Sequence, residues 1–306
     1  MSGDLGRRAA SALVMGVVVL VATWFGGLAF RILMAVAAVL VFHEWAGIVG
    51  ARVLHEKVAI FAGLAVVLCA LAIVFHHGEI AMALAVIAAV CVAAWQRLAR
   101  RRLWLAGGIV YAVVPAVALA VLRGDGGQGL VAILGLFAVV WTSDIAAYFV
   151  GRRVGGRKLA PRISPGKTWS GAVGGTLAGI VVGTAVFSIG EGGGPIVWLG
   201  LVCLALSVCG QAGDLFESWI KRRFGVKDSS RLIPGHGGLM DRIDALVFAA
   251  FAAYLVTVLV PGLIKPAQAG TMTSRAVSSR GAALCADARP SRRALRVAQG
   301  GGSWTS

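Results

Sequence analysis

Between Ser218 and Asp244 the chain sets Asp228, Asp241 and Asp244 beside Lys221, Arg222, Arg223, Lys227 and Arg231, with His236 inside a Pro-Gly-His-Gly-Gly turn. Carboxylates are hard oxygen ligands for divalent cations, while ammonium and guanidinium groups neutralise phosphate oxygens. Paired acids among clustered cations therefore point to a divalent metal and a phosphate-bearing substrate held together. Just upstream, Asp214, Glu217, Ser218 and Lys221 recur at helical spacing. They share one helix face that carries acid at one end and cation at the other. Asp241 and Asp244 are likewise one helical turn apart, and the glycine-rich turn lets the chain double back so that the two acidic pairs converge.

Two earlier segments add polar groups. Asp144 stands in an apolar stretch about seven residues before a basic loop. A carboxylate inside a spanning helix costs roughly 2.5–3.5 kcal/mol on insertion scales, so it is expected to face a polar cavity. Residues 151–171 form a Gly/Pro-shaped basic loop ending in Gly166-Lys167-Thr168. A phosphate-binding P-loop needs glycine where this chain has Pro161, so that motif is excluded. What remains is a loop expected to open a helix near Ser164 to Thr168, where free N–H groups favour an anion. His43 and Glu44 beside Trp45 are read as an interfacial anchor, and His76 and His77 as solvated loop residues.

These groups are embedded in a chain that is 58% hydrophobic and 14% charged, far from the roughly 25% charge of soluble domains. Nine apolar segments are each long enough to cross a bilayer: about 9–25, 27–43, 58–75, 79–96, 103–122, 129–150, 171–189, 195–213 and 242–262. The expected fold is all-α, a polytopic integral membrane protein with about nine transmembrane helices and a polar active site facing the cytoplasm. Arg7 and Arg8 precede the first segment with no small-residue cleavage site, which predicts an uncleaved first helix. With the N-terminus inside, the cytoplasmic segments hold nineteen Lys and Arg residues, and the opposite loops hold only Arg31 and Arg123.

The net charge of +16 is distributed over such loops rather than over one soluble face, so no nucleic-acid partner is expected. Cys69, Cys91, Cys203 and Cys209 lie in apolar segments without metal or redox spacing and read as buried structural thiols. The chain divides into N-terminal transmembrane helices (1–128), a catalytic transmembrane region with cytoplasmic loops (129–266) and a basic tail (267–306). The tail is rich in Ala, Ser, Gly and Arg and is expected to be disordered.

The run Ser218-Trp-Ile-Lys-Arg222, then Lys227-Asp228, Pro234-Gly-His-Gly-Gly238 and Asp241-Arg-Ile-Asp244 closely resembles the phosphatidate cytidylyltransferases, or CDP-diacylglycerol synthases. Ser143-Asp144, Tyr148-Phe-Val-Gly-Arg152, Lys158-Leu-Ala-Pro161, Ser164-Pro-Gly-Lys-Thr168 and Gly213-Asp-Leu-Phe-Glu-Ser218 resemble that family too. The likeness covers about residues 140–262; the earlier segments agree only in hydropathy. One departure is Ser170, where the family usually carries an acid.

The resemblance implies condensation of CTP with phosphatidic acid to CDP-diacylglycerol and pyrophosphate, in the inner (plasma) membrane with the active site towards the cytoplasm. It implies Mg²⁺, with K⁺ as an additional candidate ion, and places the metal centre on Asp214 and Asp241, with Asp244 next to it. Lys221, Asp228 and His236 complete the implied catalytic set. Lys167, Arg222 and Lys227 are assigned to phosphate, Arg242 to substrate and Asp144 to the polar cavity. Partners are CTP, phosphatidic acid and membrane lipids, with a homodimer as a candidate assembly. The rival readings are CTP-dependent activation of another phosphorylated lipid and, in a different class, an ion-coupled membrane transporter.

Overall fold

The computed structural model describes residues 2–50, 56–95, 101–189, 195–230, 232–233 and 237–260. His236 and the 267–306 tail lie outside these residues. Among the described residues nine helices follow one another: α1 (Ser2–Phe25), α2 (Gly27–Ile48), α3 (Glu56–Val74), α4 (Gly78–Ala94), α5 (Arg101–Arg123), α6 (Gly127–Val154), α7 (Trp169–Ile189), α8 (Ile196–Arg223) and α9 (Met240–Leu259). Seven stretches are long and apolar enough to cross a membrane, in α2, α3 and α5 to α9; Ser11–Phe25 and Gly78–Ala94 are shorter apolar helices. The polytopic helical fold read from hydropathy is therefore present.

Between α6 and α7 the chain forms a small antiparallel hairpin, β1 (Lys158–Ala160) and β2 (Ser164–Thr168), with Lys158 opposite Thr168 and Ala160 opposite Ser164. This corrects the expectation of a helix opening at Ser164 to Thr168. The extended pairing carries the chain through Pro165 and Gly166, and α7 begins only at Trp169. Thr168 then acts as an N-cap, its Oγ1 accepting the Gly171 N–H at 3.1 Å.

Lipid tails are as apolar as leucine, so helices in a bilayer associate through close van der Waals contact rather than through hydrophobic burial. α7 shows the consequence. Gly171, Gly175, Gly179 and Gly183 form a buried stripe, while Trp169, Val173, Leu177 and Val181 are exposed. The glycine stripe lies against α6 so closely that a Cβ at Gly175 would be 2.5 Å from the Ser143 carbonyl oxygen, and one at Gly171 would be 2.6 Å from that of Ala147.

The most buried span is α5, which contacts α2, α3, α4, α6 and α9. Trp45 of α2 is buried against it, donating from Nε1 to the Trp104 carbonyl at 2.7 Å and packing its ring on Tyr111 with centroids 4.9 Å apart. Glu44 is buried as well, so the Glu44–Trp45 pair is not an interfacial anchor. At the other end of α5, Arg123 is buried rather than lying in a solvated loop. Its Nε and Nη2 donate to Thr23 O (2.6 Å) and Trp24 O (3.0 Å), and its Nη1 donates to Gly124 O and Gly126 O. The guanidinium thereby satisfies carbonyls that the end of α1 leaves unpaired. Of the four cysteines expected to be buried, Cys69 and Cys203 are, Cys209 is half-buried and Cys91 is exposed.

Candidate active site

Asp214, Glu217 and Lys221 project from successive turns of α8, and Asp241 and Asp244 from the first turns of α9. The two helices meet at Gly213, where a Cβ would lie 2.6 Å from the Asp244 carbonyl oxygen. This close approach brings the two acidic pairs together as their spacing predicts. Asp244 lies within electrostatic reach of Asp214, Glu217 and Asp144.

Asp241 is the most heavily bonded of these groups. Its Oδ1 accepts Lys221 Nζ at 2.6 Å. Its Oδ2 accepts the Ser229 N–H (2.9 Å), the Ser229 hydroxyl (3.0 Å) and the Gly238 N–H (2.9 Å). Lys221 Nζ also stands 3.1 Å from Glu217 Oε1, as an ion pair. That contact does not meet hydrogen-bond geometry, and both Glu217 oxygens are buried without a hydrogen-bond partner. The carboxylates of Asp241 and Asp244 stand beside them. Like charges in a site removed from water can be held together only by a shared proton or a shared cation.

On the other side, Lys167 of β2 forms an ion pair with Asp214. Both line an open polar cavity of about 840 Å³ together with Asp144, Arg152, Lys158 and Gln211. The cavity is large enough for a drug-sized or nucleotide-sized ligand. Asp214 thus belongs both to the cavity and to the carboxylate cluster. Asp144 faces the cavity, as an acid inside a spanning helix was expected to; Arg152 donates to Tyr148 Oη at 2.9 Å. The hairpin is tied to the end of α6 by Ser170, whose Oγ donates to Gly155 O at 2.5 Å. The position where an acid was expected therefore serves as a hydroxyl strut between Gly155 and Thr168.

Asp144, Lys167, Asp214, Lys221, Asp241 and Asp244 are gathered around one site. Arg222, Lys227, Asp228 and Arg242 are exposed, and His236 lies outside the described residues. Among the described residues there is no group of three His, Cys, Asp or Glu side chains in metal-ligating arrangement. Asp214 and Asp241 are each bonded to a different lysine. Asp144, Asp214, Glu217, Asp241 and Asp244 outnumber Lys167 and Lys221 there, and carboxylates are the hard oxygen donors that a divalent cation takes; both Glu217 oxygens lack a hydrogen-bond partner.

Glu217 was visible in the sequence on the Asp214 face but was not assigned to the site. Glu44, Ser229 and Tyr111 were missed. Tyr111 is buried on α5 with its hydroxyl unpartnered, within electrostatic reach of Glu217, Asp244, Asp214 and Asp241. A lone acid and a lone tyrosine inside apolar segments were the available signals.

Fold and site together define a polytopic membrane protein whose helices converge a carboxylate–lysine cluster beside a cavity lined by Asp144, Arg152, Lys158, Lys167 and Asp214. A sequence signature of the Cytidylyltransferase family matches residues 6–260. The chain is 41% identical over 259 residues to a phosphatidate cytidylyltransferase of Brucella suis biovar 1, an alignment covering 82% of this chain and 93% of that protein. It is 44% identical over 131 residues to a phosphatidate cytidylyltransferase of Bacillus subtilis (43% of this chain, 49% of that protein). It is also 44% identical over 126 residues to one of Haemophilus influenzae (40% and 44%). The chain belongs to the cytidylyltransferase family, as the motif between Ser218 and Asp244 suggested, and is an enzyme of the nucleotidyltransferase class.

Proposed function

We propose that this enzyme transfers a cytidylyl group from CTP to phosphatidic acid, giving CDP-diacylglycerol and pyrophosphate, in the inner membrane with its site towards the cytoplasm. The observation that carries this reading is the position of Asp214, shared between the polar cavity and the intramembrane carboxylate cluster. A water-soluble triphosphate and a lipid phosphate have to meet at such a boundary. The names of the relatives support the substrates, and the bias of basic residues towards one side supports the orientation.

A phosphate oxygen of the lipid attacks the α-phosphorus of CTP. The bond from that phosphorus to the bridging oxygen breaks, and pyrophosphate leaves with the electron pair. No protein nucleophile is needed; positioning and charge neutralisation carry the step. Lys167, at the cavity wall beside Asp214, is placed to exchange its carboxylate partner for a phosphate oxygen. Lys221, between Glu217 and Asp241, is placed to offset charge on the reacting phosphates. Mg²⁺, with K⁺ as an additional ion, would be held by Asp214 and Asp241 with Glu217 and Asp244 beside them, and would neutralise triphosphate oxygens.

Pyrophosphate release by purified protein in detergent tests the proposal. Release should require CTP, phosphatidic acid and Mg²⁺ together and should be lost in a folded Asp214→Asn variant. Folded wild-type protein that is silent with phosphatidic acid but active with a phosphorylated isoprenoid would overturn the lipid assignment. Silence with every phosphorylated lipid would overturn the reaction.

A further inference from the structure

Glu44 lies on α2, far along the chain from every catalytic motif, yet it is only 2% exposed and has a donor facing each acceptor position of its carboxylate. Oε1 accepts the Ser230 hydroxyl at 2.7 Å and the Leu239 N–H at 2.9 Å. Oε2 accepts the Ser229 hydroxyl at 3.0 Å and the Met240 N–H at 2.8 Å. Four donors fill the four acceptor positions that a carboxylate offers. Two of them are amides at the start of α9, which have no partner within the helix.

The same short segments are held from their other side by Asp241. The Ser229 and Gly238 amides donate to Asp241 Oδ2, and the Ser229 Oγ stands 3.0 Å from both carboxylates. The hydroxyl has one proton, so it is shared between Glu44 and Asp241. Gly238 makes room for this arrangement, since a Cβ there would lie 2.5 and 2.6 Å from the two Glu44 oxygens. Glu44 is in turn held on a rigid support, because the next residue, Trp45, is buried and bonded to the Trp104 carbonyl.

We infer that Glu44 is a positioning residue for catalysis. It latches residues 229–230 and 239–240 onto α2, and through Ser229 and the first turn of α9 it sets the direction of Asp241 and hence of Lys221. The inference rests on the reaction proposed above for what Asp241 does, but not for the latch itself. A glutamine at this position keeps the shape but sets its NH₂ against one serine hydroxyl, which can turn to accept, and one backbone N–H, which cannot and loses its bond. An aspartate keeps the charge but falls one methylene short.

Two readouts on the full-length protein in detergent test it. For Glu44→Gln, kcat for pyrophosphate release should fall roughly tenfold to a hundredfold, the range for residues that orient a metal-site ligand. KM values for CTP and lipid should stay within about threefold, and Glu44→Asp should recover part of kcat. The Glu44→Gln/Ser229→Ala double variant should be no slower than the slower single variant, because both act on Asp241 by one route. Independently of activity, hydrogen exchange in Glu44→Gln should speed up not only at Leu239 and Met240, which donate to Glu44, but also at Ser229 and Gly238, which donate to Asp241.

Faster exchange confined to Leu239 and Met240, with kcat unchanged, would reduce Glu44 to a local helix cap and overturn the inference. So would multiplicative losses in the double variant. If wild-type protein releases no pyrophosphate, the proposed reaction fails, while the exchange pattern still decides the latch.

Discussion

Lys221 Nζ lies 2.6 Å from Asp241 Oδ1, and this bond joins the last turn of α8 to the first turn of α9. Both side chains are largely shielded, at 15% and 8% exposure. The pair therefore does two things at once: it closes the angle between two helices and presents a cation next to the orphaned Glu217 oxygens. Loss of either partner opens the link between the helices and leaves the other charge with weaker compensation in a poorly solvated place: Lys221 with Glu217 alone, Asp241 with neutral donors alone.

Replacing Lys221 by methionine keeps the length of the side chain and removes the charge. The expected outcome is a stability loss of about 3–5 kcal/mol, as for breaking one side of a buried pair, and a fall in kcat of roughly 10²–10³-fold, as for deleting a donor to developing charge. Thermal unfolding in detergent and initial rates of pyrophosphate release check the two numbers separately. Lys221→Arg should restore more of the stability than of the rate, since the fork cannot place a point charge in the same gap.

Glu217 gives a prediction about metal. In chelator, Glu217→Gln should melt no lower than the parent protein, because the amide has the same shape, stays neutral beside Asp241 and Asp244 and adds a donor where the carboxyl oxygens have no hydrogen-bond partner. With millimolar Mg²⁺ the parent should gain thermal stability, and the variant should gain less. Equal Mg²⁺-induced shifts in parent and variant would remove Glu217 from the cation site.

Gly175 tests the α6–α7 contact. A Cβ at this position would sit 2.5 Å from the Ser143 carbonyl oxygen and 2.9 Å from the Ala147 Cβ, and a backbone oxygen cannot move aside as a flexible side chain could. Gly175→Val should destabilise the protein by about 1–3 kcal/mol or more. The same substitution at Gly166, which meets nothing within 4 Å, should leave the melting temperature nearly unchanged.

Arg123 holds the end of α1. Arg123→Leu removes four hydrogen bonds to carbonyls, two of them on α1, and should cost about 1.5–3 kcal/mol. Proteolysis between α1 and α2 around Gly26 should quicken, while activity of the surviving intact protein should stay near that of the parent.

Much of this was legible in the chain. Hydropathy located the helices because a bilayer demands about twenty apolar residues per crossing. The spacing of Asp214, Glu217 and Lys221 placed them on one helix face, and Asp241 and Asp244 lie one turn apart; their proximity comes from the close approach of α8 and α9 at Gly213. The strand Ser164–Thr168 was not foreseen, because Ser-Pro-Gly-Lys-Thr shows no apolar–polar alternation; the helix expected there begins one residue later, at Trp169. Glu44 was misread because nothing near it in sequence shows its partners, which lie 185 to 196 residues away. A carboxylate in an apolar segment signals that a partner exists; its identity is a property of the fold.

That separation bears on how the chain is made. α2 enters the bilayer with Glu44 long before Ser229, Ser230, Leu239 and Met240 exist. At about 5–20 residues per second, the 196 residues to Met240 take roughly 10–40 seconds to synthesise. Through that interval the nascent protein carries an acid whose four donors have not yet left the ribosome. The Glu44 latch is therefore completed only by α9, and a chain that stops before α9 is left with an acid in an apolar segment that lacks its bonds, a chemical mark by which an unfinished copy differs from a finished one.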